Sequence, residues 1–194
     1  MAISIVTPVG RIVQGSAHRA NTTDDQGNPL VFKSGANKGQ PRSEFLIVLA
    51  IEKTNPEWPA FWAQLGAEAQ RSFPNGEFNA PTFSWKVKDG DGVDQNGKPN
   101  ASKEGFKGCW AVTFKSSFQV GCWKAGMPHD PKAIRTGDYV RVLGTVEGNA
   151  GGTGAGVSKN GLYLNHNAIE FIGFGQEIQS GPDAKEAFGK APVG

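Results

Sequence analysis

The sequence predicts a mainly β protein, a small antiparallel barrel or sandwich of about seven short strands with one α-helix. Glycine and proline are frequent, with 27 and 12 of 194 residues, which is typical of a chain with many turns. Apolar residues recur in short runs and alternations of strand length. Only one segment has helical periodicity, and no apolar run approaches the ~20 residues of a membrane-spanning helix.

The first half of the chain supplies two strand segments separated by a long excursion. Residues 3–14 (ISIVTPVGRIVQ) indicate an opening strand with a turn at Pro8. Residues 44–53 (EFLIVLAIEK) form an unbroken apolar run, which is typical of a buried central strand. Between them, residues 21–43 are polar and glycine-rich, so we expect a long loop.

One helix is expected, over about residues 56–73. Asn55-Pro56-Glu57 places a proline in the first turn and an acidic side chain near the positive end of the helix dipole. Pro74-Asn75-Gly76 ends the helix. Between these signals the apolar residues follow helical spacing, and we expect this face to pack on the barrel: Trp58, Phe61, Trp62, Leu65 and Ala69.

The second half of the chain alternates strands with polar loops. Its expected strands are residues 82–88, 106–120, 137–147 and 161–174. Residues 89–107 indicate a polar loop, and residues 148–160 a flexible, glycine-rich hairpin tip. Residues 1–178 therefore form one domain, followed by a flexible tail at 179–194.

The triplet Gly-Cys-Trp occurs twice, at 108–110 and 121–123, and contains both cysteines. Structural zinc sites use cysteines roughly two to four residues apart, so this spacing does not indicate a metal site. No secretory leader precedes the domain, so we expect free thiols in a reducing compartment and no disulfide. We interpret residues 108–123 as one long barrel strand.

The sequence predicts no enzyme, because it contains no motif for nucleophilic, metal-dependent or acid–base catalysis. It also predicts no catalytic residue, no metal and no cofactor. Asp89, Asp91 and Asp94 resemble a calcium loop, but Val93 stands where an oxygen ligand is required. The glycine run at 148–161 lacks both P-loop and dinucleotide-binding spacing.

Positive charge is concentrated in one part of the chain. The net charge is only +2, but residues 101–141 contain seven basic and three acidic residues. Residues 142–194 contain three basic and five acidic residues. A local excess of this size fits a polyanionic partner, but on charge alone a solvated surface is the preferred interpretation.

Side-chain alternation in the segment WAVTFKSSF gives the first indication of nucleic-acid binding. Trp110, Val112, Phe114 and Phe118 share one face of this strand, and Lys115 lies on the other. We expect Val112 and Phe118 in the barrel core. The alternation leaves open whether Trp110 and Phe114 are core residues or stack on bases.

A second strand offers a matching face. In DYVRVLG, Tyr139 and Arg141 oppose two valines that are expected to point inward. Side by side, the two strands would present aromatic rings, on which each base stacks with about 1–3 kcal/mol, and cations for phosphates. The expected DNA-binding residues are Trp110, Phe114, Lys115, Tyr139, Arg141, Lys107 and Lys124.

Several segments, taken in order, resemble a known family. They are VTPVGRIV (6–13), DGD (89–91), GCWAVTFKSSF (108–118), GDYVRV (137–142), GLYLNHNAIEFIGFGQEI (161–178) and GPDA (181–184). Over about residues 5–184 the chain resembles the phage-encoded OB-fold single-stranded DNA-binding proteins, first catalogued as a phage domain of unknown function. No single segment is specific, and the resemblance depends on their order and spacing.

The resemblance implies an elaborated OB-fold, a five-stranded Greek-key barrel with extra hairpins and one α-helix. It also implies a protein that coats and protects single-stranded DNA in replication or recombination, in the cytoplasm of an infected bacterial host. Its partners would be single-stranded DNA and phage replication or recombination proteins, with no membrane, and homo-oligomerisation is left open. The alternative is a phage structural or protein-interaction module on an OB-like barrel that binds no nucleic acid.

Overall fold

The computed structural model describes residues 2–24, 27–32, 35–151 and 160–178. The tail expected at 179–194 lies outside the described residues. The hairpin tip expected at 148–160 is described only at its two ends.

The described residues contain one α-helix and nine strands. The helix, α1, spans Trp58–Ser72. The strands are β1 (Ile3–Val6), β2 (Gly10–Gly15), β3 (Phe45–Glu52), β4 (Val87–Asp89), β5 (Cys109–Ser116), β6 (Gly121–Lys124), β7 (Met127–His129), β8 (Tyr139–Asn149) and β9 (Gly161–Gly173).

Five strands close into a barrel. β2 pairs with β3, β3 with β5, β5 with β9, β9 with β8, and β8 returns to β2. All of these pairings are antiparallel except that of β5 with β9. This ring confirms the expected OB-fold. The other strands extend it, with β1 beside β8, β4 beside β5, and the β6–β7 hairpin beside β9.

Alternate side chains of the ring strands fill the barrel, as the two-residue period of a strand requires. Ile47, Leu49 and Ile51 of β3 and Val140 and Val142 of β8 are all fully buried. The helix packs against β1, β8 and β9. It adds to the same core the side chains of Trp58, Phe61, Leu65 and Ala69, whereas Trp62, expected with them, is 38% exposed.

Four expected strand segments are confirmed: 3–14 as β1 and β2, 44–53 as β3, 137–147 as β8, and 161–174 as β9. The turn expected at Pro8 separates β1 from β2, and the helix expected over 56–73 is α1. These segments have long apolar patterns, which makes them the easiest to recognise.

The interpretation of residues 108–123 as one strand is wrong. β5 ends at Ser116, whose hydroxyl oxygen accepts a hydrogen bond from the Phe118 N–H at 3.1 Å. This local turn replaces the next pair of the strand ladder. The chain then continues as β6, which pairs with β9 and not with β5. The two Gly-Cys-Trp triplets therefore belong to different strands, and both cysteines are free thiols, as expected.

The strand expected at 82–88 is also corrected. Only Val87–Asp89 forms a strand, paired with β5. The residue before it, Lys86, has a φ of 61°, in the left-handed region that a lysine rarely adopts. Extended backbone stops at this residue, and the segment before it follows an irregular path.

Candidate nucleic-acid interface

The outer face of β3 and β5 carries a mixture of apolar and basic side chains. Leu46 pairs with Lys115, and Val48 pairs with Thr113, across the two strands. None of the four points into the barrel, because the neighbours of each along its strand fill the core. In OB-folds the faces of the second and third barrel strands bind oligonucleotides, and in this ring those strands are β3 and β5.

Part of this outer face is covered by a second, smaller apolar cluster. Phe106 from the loop before β5 and Ile178 from the segment after β9 pack on Val13, Val48, Ala50 and Ala111. The segment 103–107 therefore crosses the sheet and leaves a cleft on each side of itself. The first cleft is lined by Lys103 and Phe106, and the second by Gly105 and Lys107.

The first cleft is a basic groove of about 350 Å³, here called the lysine groove. Four lysines line it: Lys86, Lys88, Lys103 and Lys115. Its walls also include the aromatic side chains of Phe83, Trp85 and Phe106. Gln14 and Leu46 are shared with a neighbouring cleft that reaches Arg19 in the long β2–β3 connection. The lysine groove therefore continues toward that connection.

Few carboxylates balance this charge. Lys115 Nζ lies 2.7 Å from Glu44 Oε1, and Arg42 lies 3.1 Å from the other carboxylate oxygen of Glu44. Lys103 lies over the ring of Phe106, 5.5 Å from its centroid. Lys86 is half-buried and has no ion pair among the described residues. Burial, and next the charge of Lys115, lower the pKa of Lys86.

Long-range backbone contacts position the wall that carries Lys86 and Lys88. The Lys86 carbonyl accepts the Thr113 N–H of β5 at 2.9 Å. Ser84 bonds the start of β9 through both its backbone groups, donating to the Asn160 carbonyl and accepting from the Leu162 N–H. One end of the lysine groove is therefore fixed to the base of the β8–β9 hairpin.

The expected loop at 89–107 is held in place at its first residues. Lys53 forms ion pairs with Asp89 and Asp91, and the hydrogen bonds that its ammonium donates to these two carboxylates raise the pKa of the lysine. Asp91 also accepts the Gly108 N–H at 2.9 Å. These contacts, which join the two ends of the loop, keep segment 103–107 on the sheet. They give Asp89 and Asp91 a structural role at the base of the loop.

The second cleft contains two of the expected DNA-binding residues, Lys107 and Tyr139. Tyr139 is 41% exposed. Arg11 lies in the same cleft, where its guanidinium donates to the carbonyls of Gly137 and Gln176, the former at 3.0 Å. Lys115 is on the other side of segment 103–107, in the lysine groove. Three of the seven expected residues therefore line clefts on the outer surface.

The other four expected residues line neither cleft. Arg141 forms an ion pair with Glu57 at the start of α1, in which its Nη2 donates to both carboxylate oxygens at 3.0 and 3.1 Å. Lys124 lies over the ring of Phe171, 5.2 Å from the centroid. The sequence predicts that β5 and β8 lie side by side. In the structure they are not paired with each other, because β9 pairs with both of them.

The two aromatic residues that the sequence left open are both engaged within the protein. Phe114 is fully buried in the barrel core, so its ring has no face open to a base, and its place among the expected DNA-binding residues is corrected. Trp110 stacks on Trp58 with centroids 5.6 Å apart and lies under the Lys53 ammonium. Phe118, expected in the core, is 79% exposed, because the turn at Ser116 takes it out of the strand alternation.

Sequence reasoning missed three of the four lysines in the lysine groove: Lys86, Lys88 and Lys103. The first two stand in the alternating segment WKVK, which was a usable signal for one basic strand face. Lys103 lies in a polar loop, and nothing in the sequence shows that this loop folds back over the sheet.

Two features are absent from the described ranges. No helix there is both long enough and apolar enough to cross a membrane. Within the same ranges, no three His, Cys, Asp or Glu side chains are grouped so that they could hold a metal ion.

Comparisons with known proteins agree with the fold. No protein-family model and no curated protein sequence matches the chain. The single-stranded DNA-binding protein of bacteriophage Enc34 in complex with single-stranded DNA superposes with a TM-score of 0.59 and 15% identity, over 91% of this chain and 89% of that one. The gp2.5 single-stranded DNA-binding protein of bacteriophage T7 gives 0.57 and 12%, over 100% and 98%. The resemblance expected from the sequence is therefore confirmed at the level of the fold, and this chain shares the OB-barrel architecture of the phage single-stranded DNA-binding proteins.

Proposed function

We propose that this protein binds single-stranded DNA without sequence preference and coats it during phage replication or recombination, in the cytoplasm of the infected host. The DNA lies on the outer face of β3 and β5, where its phosphates contact the lysines of the lysine groove. No catalytic step is part of this function.

The observation that carries the proposal is the lysine groove itself. Four lysines from three separate chain segments converge on one cleft. Among the described residues, the pair of Lys115 with Glu44 is the one ion pair that these lysines form. A polyanion supplies the missing negative charge, and release of its counterions drives the association. Trp85 lines the groove and is only partly buried, so its ring favours a single strand, whose bases are free to stack, over a duplex.

The fold comparisons support the same partner. The Enc34 and T7 proteins are single-stranded DNA-binding proteins, and one of the superposed structures contains the DNA. The second cleft, with Lys107 and Tyr139, extends the same outer face beyond segment 103–107. We propose it as the continuation of the DNA path, and Tyr139 as a stacking residue there.

A titration with oligo-dT tests the proposal. We expect tight binding at low salt, weaker binding to duplex, and quenching of tryptophan fluorescence, because Trp85 lines the lysine groove. Each contact with a single-strand phosphate contributes about −0.7 to the slope of log K against log salt, so four lysine contacts predict a slope near −3. Absence of both quenching and a gel shift at low salt would refute single-stranded DNA binding.

Single-lysine variants locate the site. Lys88 and Lys103 are exposed, so Lys88→Ala and Lys103→Ala should each weaken binding by roughly 2- to 5-fold and flatten the salt slope by about 0.7. Lys132→Ala is the matched control, because Lys132 is also basic but lines neither cleft. If the control weakens binding as much as the two groove variants do, the DNA lies elsewhere.

A protein-interaction module is the second candidate, because one other surface is apolar. Val6 of β1, Leu143 of β8 and Trp123 of β6 are between 42% and 52% exposed, and Val6 and Leu143 are directly paired. Copurification with a phage protein, together with indifference to oligonucleotides, would favour this function over DNA binding.

A further inference from the structure

Lys86 combines two features that each lower the stability of the protein when no ligand is bound. Its φ of 61° is in the left-handed region, where a β-carbon crowds the backbone. Its side chain is half-buried in the lysine groove, and its ammonium has no hydrogen bond or ion pair among the described residues. Glycine or asparagine would adopt this backbone at a lower cost.

The second unfavourable feature comes from the neighbours of Lys86. Lys115 and Lys88 both repel its charge, and Glu44 attracts it without contacting it. Glu44 itself is already engaged by Lys115 and Arg42. Burial and the charge of Lys115 lower the pKa of Lys86, which is the direction expected for an ammonium that lacks an anion.

We propose that Lys86 and Lys115 form a subsite for one phosphodiester group, and that the left-handed backbone is tolerated because it directs the Lys86 side chain into this subsite. Strained backbone is known to concentrate at binding sites, where it contributes to function at a cost in stability. The inference rests on the proposed function, because it assigns one phosphate of the bound strand to a defined pair of lysines.

A pair of substitutions separates backbone strain from charge. Lys86→Ala removes the ammonium and keeps a β-carbon, whereas Lys86→Gly removes both. We expect each variant to bind oligo-dT about tenfold more weakly at 0.1 M salt than the wild type. We also expect the glycine variant to melt about 2–4 °C higher than the alanine variant, because it alone relieves the left-handed strain.

Ala125 provides a matched control. It is the other described non-glycine residue with positive φ, at 48°, and it lies with Gly126 in the two-residue turn between β6 and β7. Ala125→Gly should raise the melting temperature to a similar extent and leave oligo-dT affinity unchanged. Lys86→Arg, which keeps the charge, should retain affinity within about threefold.

An abasic oligonucleotide of the same length identifies the group that is contacted. If Lys86 binds phosphate, Lys86→Ala should lose the same factor on abasic DNA as on oligo-dT. A loss confined to oligo-dT would show a base contact and overturn the subsite. Unchanged affinity in a folded Lys86→Ala variant would also overturn it. So would a Lys86→Gly variant that melts no higher than the Lys86→Ala variant. Failure of the wild type to bind oligo-dT would instead refute the proposed function.

Discussion

His166 should make the stability of the protein depend on pH between 7.5 and 5. Its side chain is 1% exposed in the barrel interior, and its Nδ1 atom has no hydrogen-bond partner among the described residues. Burial lowers the pKa of His166 from 6.5 to about 4. The folded protein therefore keeps this imidazole neutral at pH values at which the unfolded chain protonates it.

The sign and size of the effect follow from proton linkage. Below pH 6.5 the unfolded state binds a proton that the folded state binds only near pH 4, so the free energy of unfolding falls as the pH falls through this window. With these two values the loss is negligible at pH 7.5 and about 2 kcal/mol at pH 5. For a urea m-value of about 2 kcal/mol/M, the unfolding midpoint should fall by about 1 M.

Urea unfolding followed by tryptophan fluorescence measures this shift. His166→Leu is the comparison, because leucine occupies an apolar site without titrating. Between pH 7.5 and 5, the midpoint of the wild type should fall by about 1 M more than that of the variant. If the variant does not fold, the His166 imidazole signals in NMR spectra of the wild type should remain those of the neutral form at pH 5. Equal midpoint shifts in the two proteins, or a protonated ring at pH 5, would refute the reasoning.

Two further predictions concern the segment between the Gly-Cys-Trp triplets. Phe114→Ala should lower the free energy of urea unfolding by about 3–5 kcal/mol, and Phe118→Ala by no more than about 0.5 kcal/mol, because only the first ring is buried. Similar losses would contradict this assignment. Burial raises the pKa of the Cys122 thiol to about 11, so a disulfide reagent at pH 8 should modify Cys122 only after the protein unfolds. The same reagent should modify Cys109, which is half-buried, sooner than Cys122. Rapid modification of Cys122 in the folded protein would contradict the burial of its thiol.

Strand and helix positions could be predicted where the pattern along the chain is long. The apolar run of β3 and the helical spacing from Trp58 to Ala69 each extend over enough residues to exclude other structures. The prediction was wrong at Ser116, where one hydroxyl bonded to a backbone N–H ends a strand that the alternation would continue.

The candidate site was harder to predict than the fold. The alternation in β5 correctly places Lys115 opposite Val112, but it does not show which face is closed by the rest of the barrel. The sequence therefore leaves Phe114 as a stacking candidate, whereas its burial in the core gives its ring no face open to a base. Lys103 belongs to a loop whose position depends on Lys53, Asp89 and Asp91, residues that no periodic pattern connects.

The sequence by itself determined the properties that depend on near neighbours in the chain: most of the strands, the helix, and the faces shared within each strand. Only the tertiary structure decided which strands are adjacent and which face is outside. It also brought the lysines of three segments into one groove and left the backbone of Lys86 strained beside Lys115. The reason is physical, because barrel closure and loop docking depend on contacts between residues far apart in sequence, which local periodicity does not encode.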